Sequence, residues 1–261
     1  MDEDRKKWLW YGIPVVVVLG VIAALVYGRM HSQSAQQEAA VTEQPATQAN
    51  NEPAIQNPIT PESTEQPLPP LSESDDAVHQ DLLNTVGQPL DSYLVPRDII
   101  RHIVVTVDNL PRKKTAVQLW PIKPTSGTLS TSGGEEVTLS ENNYARYAPV
   151  IDLLQKTDTK DIVKLYRRYY RLFQEAYVGL GYPNGYFNDR LVQVIDDVLA
   201  APDVQGPIKL TQPGVFYEFA DPSLEQLSAG QKVLIRMGPK NAAIVKNKLR
   251  ELRAEITRQE Q

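Results

Sequence analysis

The residues between 179 and 190 are the ones best suited to binding or catalysis. They include aromatic, amide, carboxylate and guanidinium side chains within a few positions of one another. Aromatic faces can stack on a sugar or a peptide, and the polar groups can then orient it. Six residues are therefore predicted as binding candidates, and no residue is assigned a catalytic role: Tyr182, Asn184, Tyr186, Asn188, Asp189 and Arg190.

The same segment also has an ordinary structural interpretation. Gly179 or Gly181 can end one helix, and Pro183-Asn184-Gly185 is typical of a β-turn. Asn188 is a suitable N-cap for the next helix. The structural and the binding interpretations are compatible with each other, and the sequence leaves both open.

Carboxylate pairs for acid–base catalysis do not form locally. Asp196 and Asp197 are neighbours on a predicted helix, so they diverge by about 100°. Pairing across the fold, as between Asp189 and Glu218, stays open. The alternative function is therefore a hydrolase or transferase acting on envelope glycans, with one of these two carboxylates as acid or base.

Metal and cofactor chemistry have no signature here. The chain has three histidines and no cysteine. The absence of cysteine excludes thiol catalysis, disulfides and cysteine-ligated metals. His79 is predicted at the edge of an apolar helix face and His102 is predicted to be exposed. No nucleophile elbow, phosphate loop or dinucleotide fingerprint is present, so we expect no metal and no cofactor.

The charges divide the chain into two unequal parts. Residues 1–74 carry four Lys/Arg and nine Asp/Glu, whereas 75–261 carry 23 of each. A neutral folded part lacks the positive surface of a nucleic-acid binder, so nucleic acid is not expected as a partner.

An uncharged stretch of 20 residues, 8–27, is predicted to be a membrane anchor. As a helix it would be about 30 Å long, the thickness of a bilayer core. Arg5, Lys6 and Lys7 precede it, so the N-terminus is expected in the cytoplasm and the rest in the periplasm. A cleaved signal peptide would have a shorter apolar region, and a buried core helix would show a polar face.

Residues 30–74 are predicted to be a disordered linker. The stretch is rich in Pro, Gln and Glu and has no aromatic residue. Such a composition does not bury enough apolar surface to offset the entropy of ordering. The predicted divisions are therefore 1–29 for the cytoplasmic tail and anchor, 30–74 for the linker and 75–261 for a periplasmic helical domain.

The predicted domain is mainly α with a small β element (α+β). Apolar residues recur at helical spacing in seven stretches, near 75–86, 96–109, 141–155, 159–178, 188–200, 229–237 and 239–258. Pro149 is expected to interrupt the third of these. Extended chain is predicted over 115–122 and 137–139, and a hairpin over 208–219.

Two apolar stripes on these helices are interpreted as core. Tyrosine and phenylalanine dominate the stripe on the 159–178 helix, which is made of Ile162, Tyr166, Tyr169, Phe173 and Tyr177. The last helix carries a second stripe, made of Val245, Leu249, Leu252 and Ile256. Self-association through the second stripe is a weaker hypothesis, because two heptads are short for a coiled coil.

Several short runs resemble one known family. They are Tyr144–Pro149, Gly181–Arg190, Tyr217–Pro222 and Met237-Gly238-Pro239. Over about 75–257 the chain resembles a bacterial, single-span, membrane-anchored family known as domain-of-unknown-function family 3014. The resemblance implies an inner-membrane protein with a periplasmic domain, and it implies no activity, cofactor or catalytic residue.

The function predicted from the sequence is a non-enzymatic binding or interaction module of the cell envelope. Its expected partners are the lipid bilayer, through residues 8–27, and an envelope protein or a cell-wall component. The glycan hydrolase or transferase remains the alternative.

Overall fold

The structure, a computed structural model, describes residues 54–62, 67–113, 115, 117–124 and 128–258. Within these ranges it is mainly helical with two small antiparallel sheets, which confirms the predicted fold class. The helices are α1 (Asp75–Val86), α2 (Ile99–Asn109), α3 (Asn142–Ala145), α4 (Ala148–Lys156), α5 (Thr159–Gly179), α6 (Phe187–Leu199), α7 (Pro222–Glu225), α8 (Ala229–Arg236) and α9 (Pro239–Ile256). Short 3₁₀-helices occupy Leu71–Glu73, Gln88–Ser92 and Val117–Leu119.

Helix α5 lies at the centre of the core, in contact with α1, α2, α6 and α9. Its aromatic stripe is buried, as predicted, and Tyr170 joins it. The Tyr166 ring meets Tyr170 edge-on and lies 5.3 Å from the Phe173 ring, measured between centroids. Asp158 caps the helix by accepting a hydrogen bond from the Lys160 amide at 2.8 Å.

Helix α9 closes the core from the other side. Its apolar stripe is almost fully buried against α4, α5, α6 and α8 of the same chain. Because this face packs within the domain, it is not available for a coiled coil, and the hypothesis of self-association through it is wrong.

The junction between α1 and α2 differs from the prediction. Ser74 precedes α1 but does not cap it, because its hydroxyl donates to the Leu71 carbonyl at 3.0 Å. The Asp75 carboxylate accepts from the amides of Asp98 and Ile99 at 2.7 and 2.9 Å, so it caps the N-terminus of α2 instead. Helix α2 therefore starts three residues after Pro96, where a positive φ of 48° at Asp98 turns the chain.

The β structure is a small layer with its own apolar cluster. Strands β1 (Thr131–Ser132) and β2 (Thr138–Leu139) pair, as do β3 (Leu210–Thr211) and β4 (Glu218–Phe219). A bridge between Thr138 and Lys209 joins the two pairs. The predicted hairpin at 208–219 is confirmed in a shorter form.

The stretch predicted as extended over 115–122 is wrong at its centre. Val117–Leu119 form a turn of 3₁₀-helix, and only Ile122 makes a bridge, to Leu94. Trp120 and Ile122 are both buried. Pro121 between them is buried as well, so the apolar end of this stretch is buried after a turn and not along a strand. The break at Pro149 is confirmed, since it lies in the first turn of α4.

Gly238, just before α9, is a position where any side chain is expected to destabilise the fold. Its φ is +85°, and an added Cβ would lie 2.6 Å from the Tyr144 ring. We expect Gly238→Ala to lower the free energy of unfolding by about 2 kcal/mol. Thermal unfolding checks this, with Gly214→Ala as the control, because Gly214 has open space around it. Equal unfolding temperatures for the two variants would contradict the packing argument.

Among the described residues, each helix is too short or too polar to span a bilayer. The predicted anchor at 8–27 lies outside those residues.

Candidate functional site

The turn between α5 and α6 follows the structural interpretation of residues 179–190. Gly181 has a φ of +102° just after the end of α5, and the Gly185 amide donates to the Tyr182 carbonyl at 3.0 Å. These contacts confirm the helix end and the β-turn. Asn184 lies exposed at the turn.

Gln174 on α5 fixes this turn to the start of α6. Its side-chain amide donates to the Gly185 carbonyl at 2.7 Å, and its oxygen accepts from the Phe187 amide at 2.8 Å. Gln174 therefore replaces the missing side-chain cap of α6. Gly185 also needs to be small, because an added Cβ would lie 2.8 Å from the Tyr177 ring.

Asn188 does not cap α6, and this prediction is wrong. Helix α6 begins one residue earlier, at Phe187, and Asn188 is completely buried inside the first turn. Its side chain accepts from the Tyr166 hydroxyl at 3.2 Å and donates to the carbonyls of Asn57 and Ile256 at 2.9 and 3.1 Å. Asn188 therefore joins α5, the end of α9 and a distant N-terminal segment.

That N-terminal segment, residues 54–62, lies across the start of α6. We call it the strap, and we call the groups that hold it the strap site: Tyr186, Asn188, Asp189 and the carbonyl of Arg167. Asp189 accepts from the amides of Gln56 and Asn57 at 3.0 and 2.7 Å. It also accepts from the Asn57 side chain at 2.9 Å, so both carboxylate oxygens are occupied.

The second half of the strap is held by an apolar contact and by its main chain. Ile59 is only 7% exposed and belongs to the main core. Its amide donates to the Tyr186 hydroxyl at 2.9 Å. The Glu62 amide donates to the Arg167 carbonyl at 3.2 Å, and the Glu62 carboxylate lies 3.9 Å from the Lys164 ammonium.

The strap corrects the prediction that 30–74 is an unpacked linker. Residues 54–62 and 67–74 lie against the helical domain, and Ile59 and Leu71 are both buried. The composition is poor in apolar residues. Two buried apolar side chains nevertheless hold these segments on the domain, because the main chain of the strap also forms hydrogen bonds. Neither the strap nor its partners could be read from the local pattern, because each bond joins residues more than 100 positions apart.

The strap site is built from side chains that the helical domain already holds. The centroid of the Tyr186 ring lies 5.5 Å from that of the Tyr170 ring. The main-chain amide of Asn188 donates to the Tyr170 hydroxyl at 3.4 Å. Asn188 is bonded on its other side to Tyr166 and Ile256. The positions of these two strap-site residues are therefore set by contacts within the domain as well as by the strap.

Comparison with protein families places this region in a known group. Residues 99–253 match the family described as "Protein of unknown function (DUF3014)". The chain belongs to this family. The matched part of DUF3014 runs from the start of α2 into the last turns of α9, so it contains the strap site and excludes the strap. No curated protein and no solved structure matches the chain.

Two predicted candidates in the DUF3014 region, Tyr182 and Arg190, belong to a different cluster around Asp108. The Asp108 carboxylate is 6% exposed and accepts from Arg190 Nε at 3.0 Å and from Arg112 at 2.7 Å. The Tyr182 hydroxyl donates to the same carboxylate at 3.3 Å. The Tyr182 ring stacks on the Tyr177 ring. These residues hold α2 against α6 and do not face the strap.

Sequence reasoning missed Asp108, although a signal was present. It is the one carboxylate in α2 and sits in the last turn, where the helix dipole disfavours a negative charge. An acid in that position needs a cationic partner, and Arg190 and Arg112 provide it.

Asp189 and Glu218, the two carboxylates proposed for acid–base catalysis, have no common contact among the described residues. Asp189 is bonded to the strap, whereas Glu218 is exposed on β4 opposite Thr211. Asp196 and Asp197 diverge, as predicted: Asp196 pairs with Arg253 and Asp197 accepts from Ser228.

Metal-binding geometry is absent from the described ranges. There, no group of three or more His, Asp or Glu side chains could hold a metal ion. His79 bonds Asp91 at 2.8 Å, and His102 is half-buried, which corrects the prediction that it is exposed.

Burial raises the pKa of the tyrosines at the centre of the fold, including Tyr166, Tyr169 and Tyr170. Hydrogen bonding to Asp81 raises the pKa of Tyr169 further. Unfolded tyrosines lose their proton near pH 10, so the unfolded state binds fewer protons than the folded state above that pH. We therefore expect the stability of the domain to be complete below about pH 10 and to fall as the pH rises further.

Ultraviolet absorbance of tyrosinate during an alkaline titration measures this directly. The buried tyrosines should ionise together with loss of helical circular dichroism, while in denaturant all tyrosines should ionise in one step near pH 10. Ionisation of every tyrosine near pH 10 with the helices intact would contradict the burial described above.

Proposed function

We propose that the chain is a non-enzymatic interaction module that binds an extended protein segment at the strap site. The observation that carries this proposal is the set of main-chain hydrogen bonds between the strap and the start of α6. Four strap amides donate to the domain, those of Gln56, Asn57, Ile59 and Glu62. A surface that satisfies the backbone of an extended peptide is a common means of protein recognition.

The arrangement of Asp189 suits binding better than catalysis. Its two oxygens accept three N–H groups of the strap, at 2.7 to 3.0 Å. A general base needs a free oxygen within reach of a substrate proton. No contact of Asp189 or Glu218 favours the glycan hydrolase or transferase over the binding module.

The proposed location is the bacterial inner membrane, with the helical domain in the periplasm. Residues 8–27 would anchor the chain in the bilayer, and the basic residues before them would keep the N-terminus in the cytoplasm. In this arrangement the strap is the first described segment to follow the anchor. The partner would then be an envelope protein close to the membrane surface.

Site-specific photo-crosslinking in the native host membrane tests the proposed function. A photo-reactive amino acid at position 164 would lie beside the strap, because the Lys164 side chain is exposed and faces Glu62. The matched control carries the same amino acid at Val215, which is 76% exposed on the distant hairpin. A protein adduct at position 164 and none at position 215 is the expected result. Absence of an adduct at position 164 in the full-length, membrane-bound chain would overturn the proposal.

A further inference from the structure

We propose that the strap is a displaceable ligand, and that its site takes a partner segment with asparagine at one position and an aliphatic residue two positions later. This inference rests on the proposed function and specifies the partner's chemistry. The partner would occupy the site in place of residues 54–62.

Most strap contacts use groups that every extended peptide possesses. The amides of Gln56, Asn57 and Ile59 donate to Asp189 and Tyr186, and the Asn57 carbonyl accepts from Asn188. None of these bonds depends on the identity of a strap side chain. A partner segment with free amides at the same three positions could therefore make all of them.

Two strap side chains supply most of the remaining selectivity, because the third, Glu62, makes only a partly exposed ionic contact of 3.9 Å with Lys164. The Asn57 amide donates to Asp189 at 2.9 Å, and the Ile59 side chain is buried in the core. The neighbouring side chains of Gln56, Pro58 and Thr60 are exposed. Pro58 has no amide hydrogen, and the site requires none at that position. The pattern that the site reads is therefore asparagine, any residue, then an aliphatic residue.

The side chains of the site are also held by contacts within the domain. Asn188 keeps its bonds to Tyr166 and Ile256, and Gln174 fixes the start of α6. All the side chains of the site also lie within 99–253, the range matched by the family, whereas the strap lies before it. The family region therefore carries the site without carrying its present occupant.

The strap competes with a partner through its attachment to the same chain. A short connection gives a tethered ligand an effective concentration on the order of 1 mM. If the strap sequence itself binds with a Kd of about 0.1 mM, the tethered strap lowers the apparent affinity of a competing peptide roughly tenfold, the ratio of that effective concentration to the Kd. Weakening the strap should restore that factor.

Fluorescence anisotropy with the full-length chain in detergent micelles measures this competition. The probe is a labelled synthetic peptide with the sequence of residues 54–62. Two chains have a weakened strap: the double variant Asn57→Ala, Ile59→Ser, and a variant with residues 54–62 replaced by nine alternating glycines and serines. We expect both to bind the probe roughly tenfold more tightly than the native chain. Thr60→Ala should behave as the native chain does, because the Thr60 side chain is exposed and makes no contact with the site.

Two matched controls show whether binding occurs at the strap site. A probe with the Asn57→Ala and Ile59→Ser changes should bind the weakened chains at least about tenfold less tightly. Adding Asp189→Ala to the glycine–serine variant should abolish binding of the unchanged probe. Circular dichroism establishes that each variant is folded.

The outcomes separate this inference from the proposed function. Equal probe affinity for the native and the glycine–serine chains would overturn the inference. So would light scattering that shows the native chain as a dimer and the glycine–serine chain as a monomer, because a second copy would then be the occupant. Either result leaves the crosslinking experiment at position 164 as an independent test of the proposed function. Tighter binding that depends on Asp189, Asn57 and Ile59 would establish the inference.

Discussion

Replacing Asp108 with alanine is expected to lower the free energy of unfolding by about 3 kcal/mol. The change leaves the Arg190 guanidinium, only 20% exposed, without its carboxylate partner. Arg190 keeps its bonds to the Asp108 carbonyl and to Gln193, which places the loss at the low end for a broken buried pair. For a domain of this size the melting temperature should fall by roughly 6–12 °C.

An exposed ion pair of similar geometry provides the control for Asp108. Asp196 accepts two bonds from Arg253, at 2.6 and 3.0 Å, but both side chains are more than 40% exposed. Water screens this pair, so Asp196→Ala should lower the stability by less than about 1 kcal/mol. Equal melting temperatures for the two alanine variants would show that burial of Asp108 does not increase the contribution of its ion pairs to stability.

The second large effect is expected from Asn188→Asp, a change of almost no volume. The new carboxylate oxygen would replace an amide donor that faces two carbonyls, those of Asn57 and Ile256, in a completely buried position. We expect the free energy of unfolding to fall by about 4 kcal/mol at neutral pH. Hydrogen exchange should also quicken at the strap amides, because the Asn57 carbonyl loses its partner.

The loss in Asn188→Asp should depend on pH. Burial raises the pKa of the new carboxyl in the folded state above its unfolded value near 4. The folded state therefore binds the extra proton more tightly, and the loss relative to the native chain is full above the folded pKa and shrinks as the pH falls towards about 4. Asn184→Asp, the same change at the exposed turn, should show neither the loss nor the pH dependence. A loss that stays constant with pH would argue against burial as its cause.

The sequence predicted the helices well because helical periodicity is a local signal. The buried stripes of α5 and α9 repeat at three and four residues, and the turn at 181–185 is specified by its own glycines and proline. The β layer was harder, because its strands are two residues long and are defined by pairing across the fold.

The residues of the candidate site were predicted correctly, but their contacts were not. The sequence identified Tyr186, Asn188 and Asp189 because polar and aromatic residues are concentrated there. It did not reveal that all three bind residues 54–59, because no local rule connects an N-terminal segment of Pro, Asn and Ile to a helix more than 120 residues later. Asn188 resembled a cap from its position alone, and only its tertiary partners show its role.

The strap also has a mechanical consequence. It precedes every helix of the described chain, so tension that enters along the backbone from the N-terminal side loads the bonds to Asp189 before it reaches α1. Those bonds and one buried isoleucine are few compared with the continuous core behind them. Pulling would therefore detach the strap first, adding at most about 30 Å of extended chain while the helices stay packed. The availability of the strap site would then depend on applied force as well as on partner concentration.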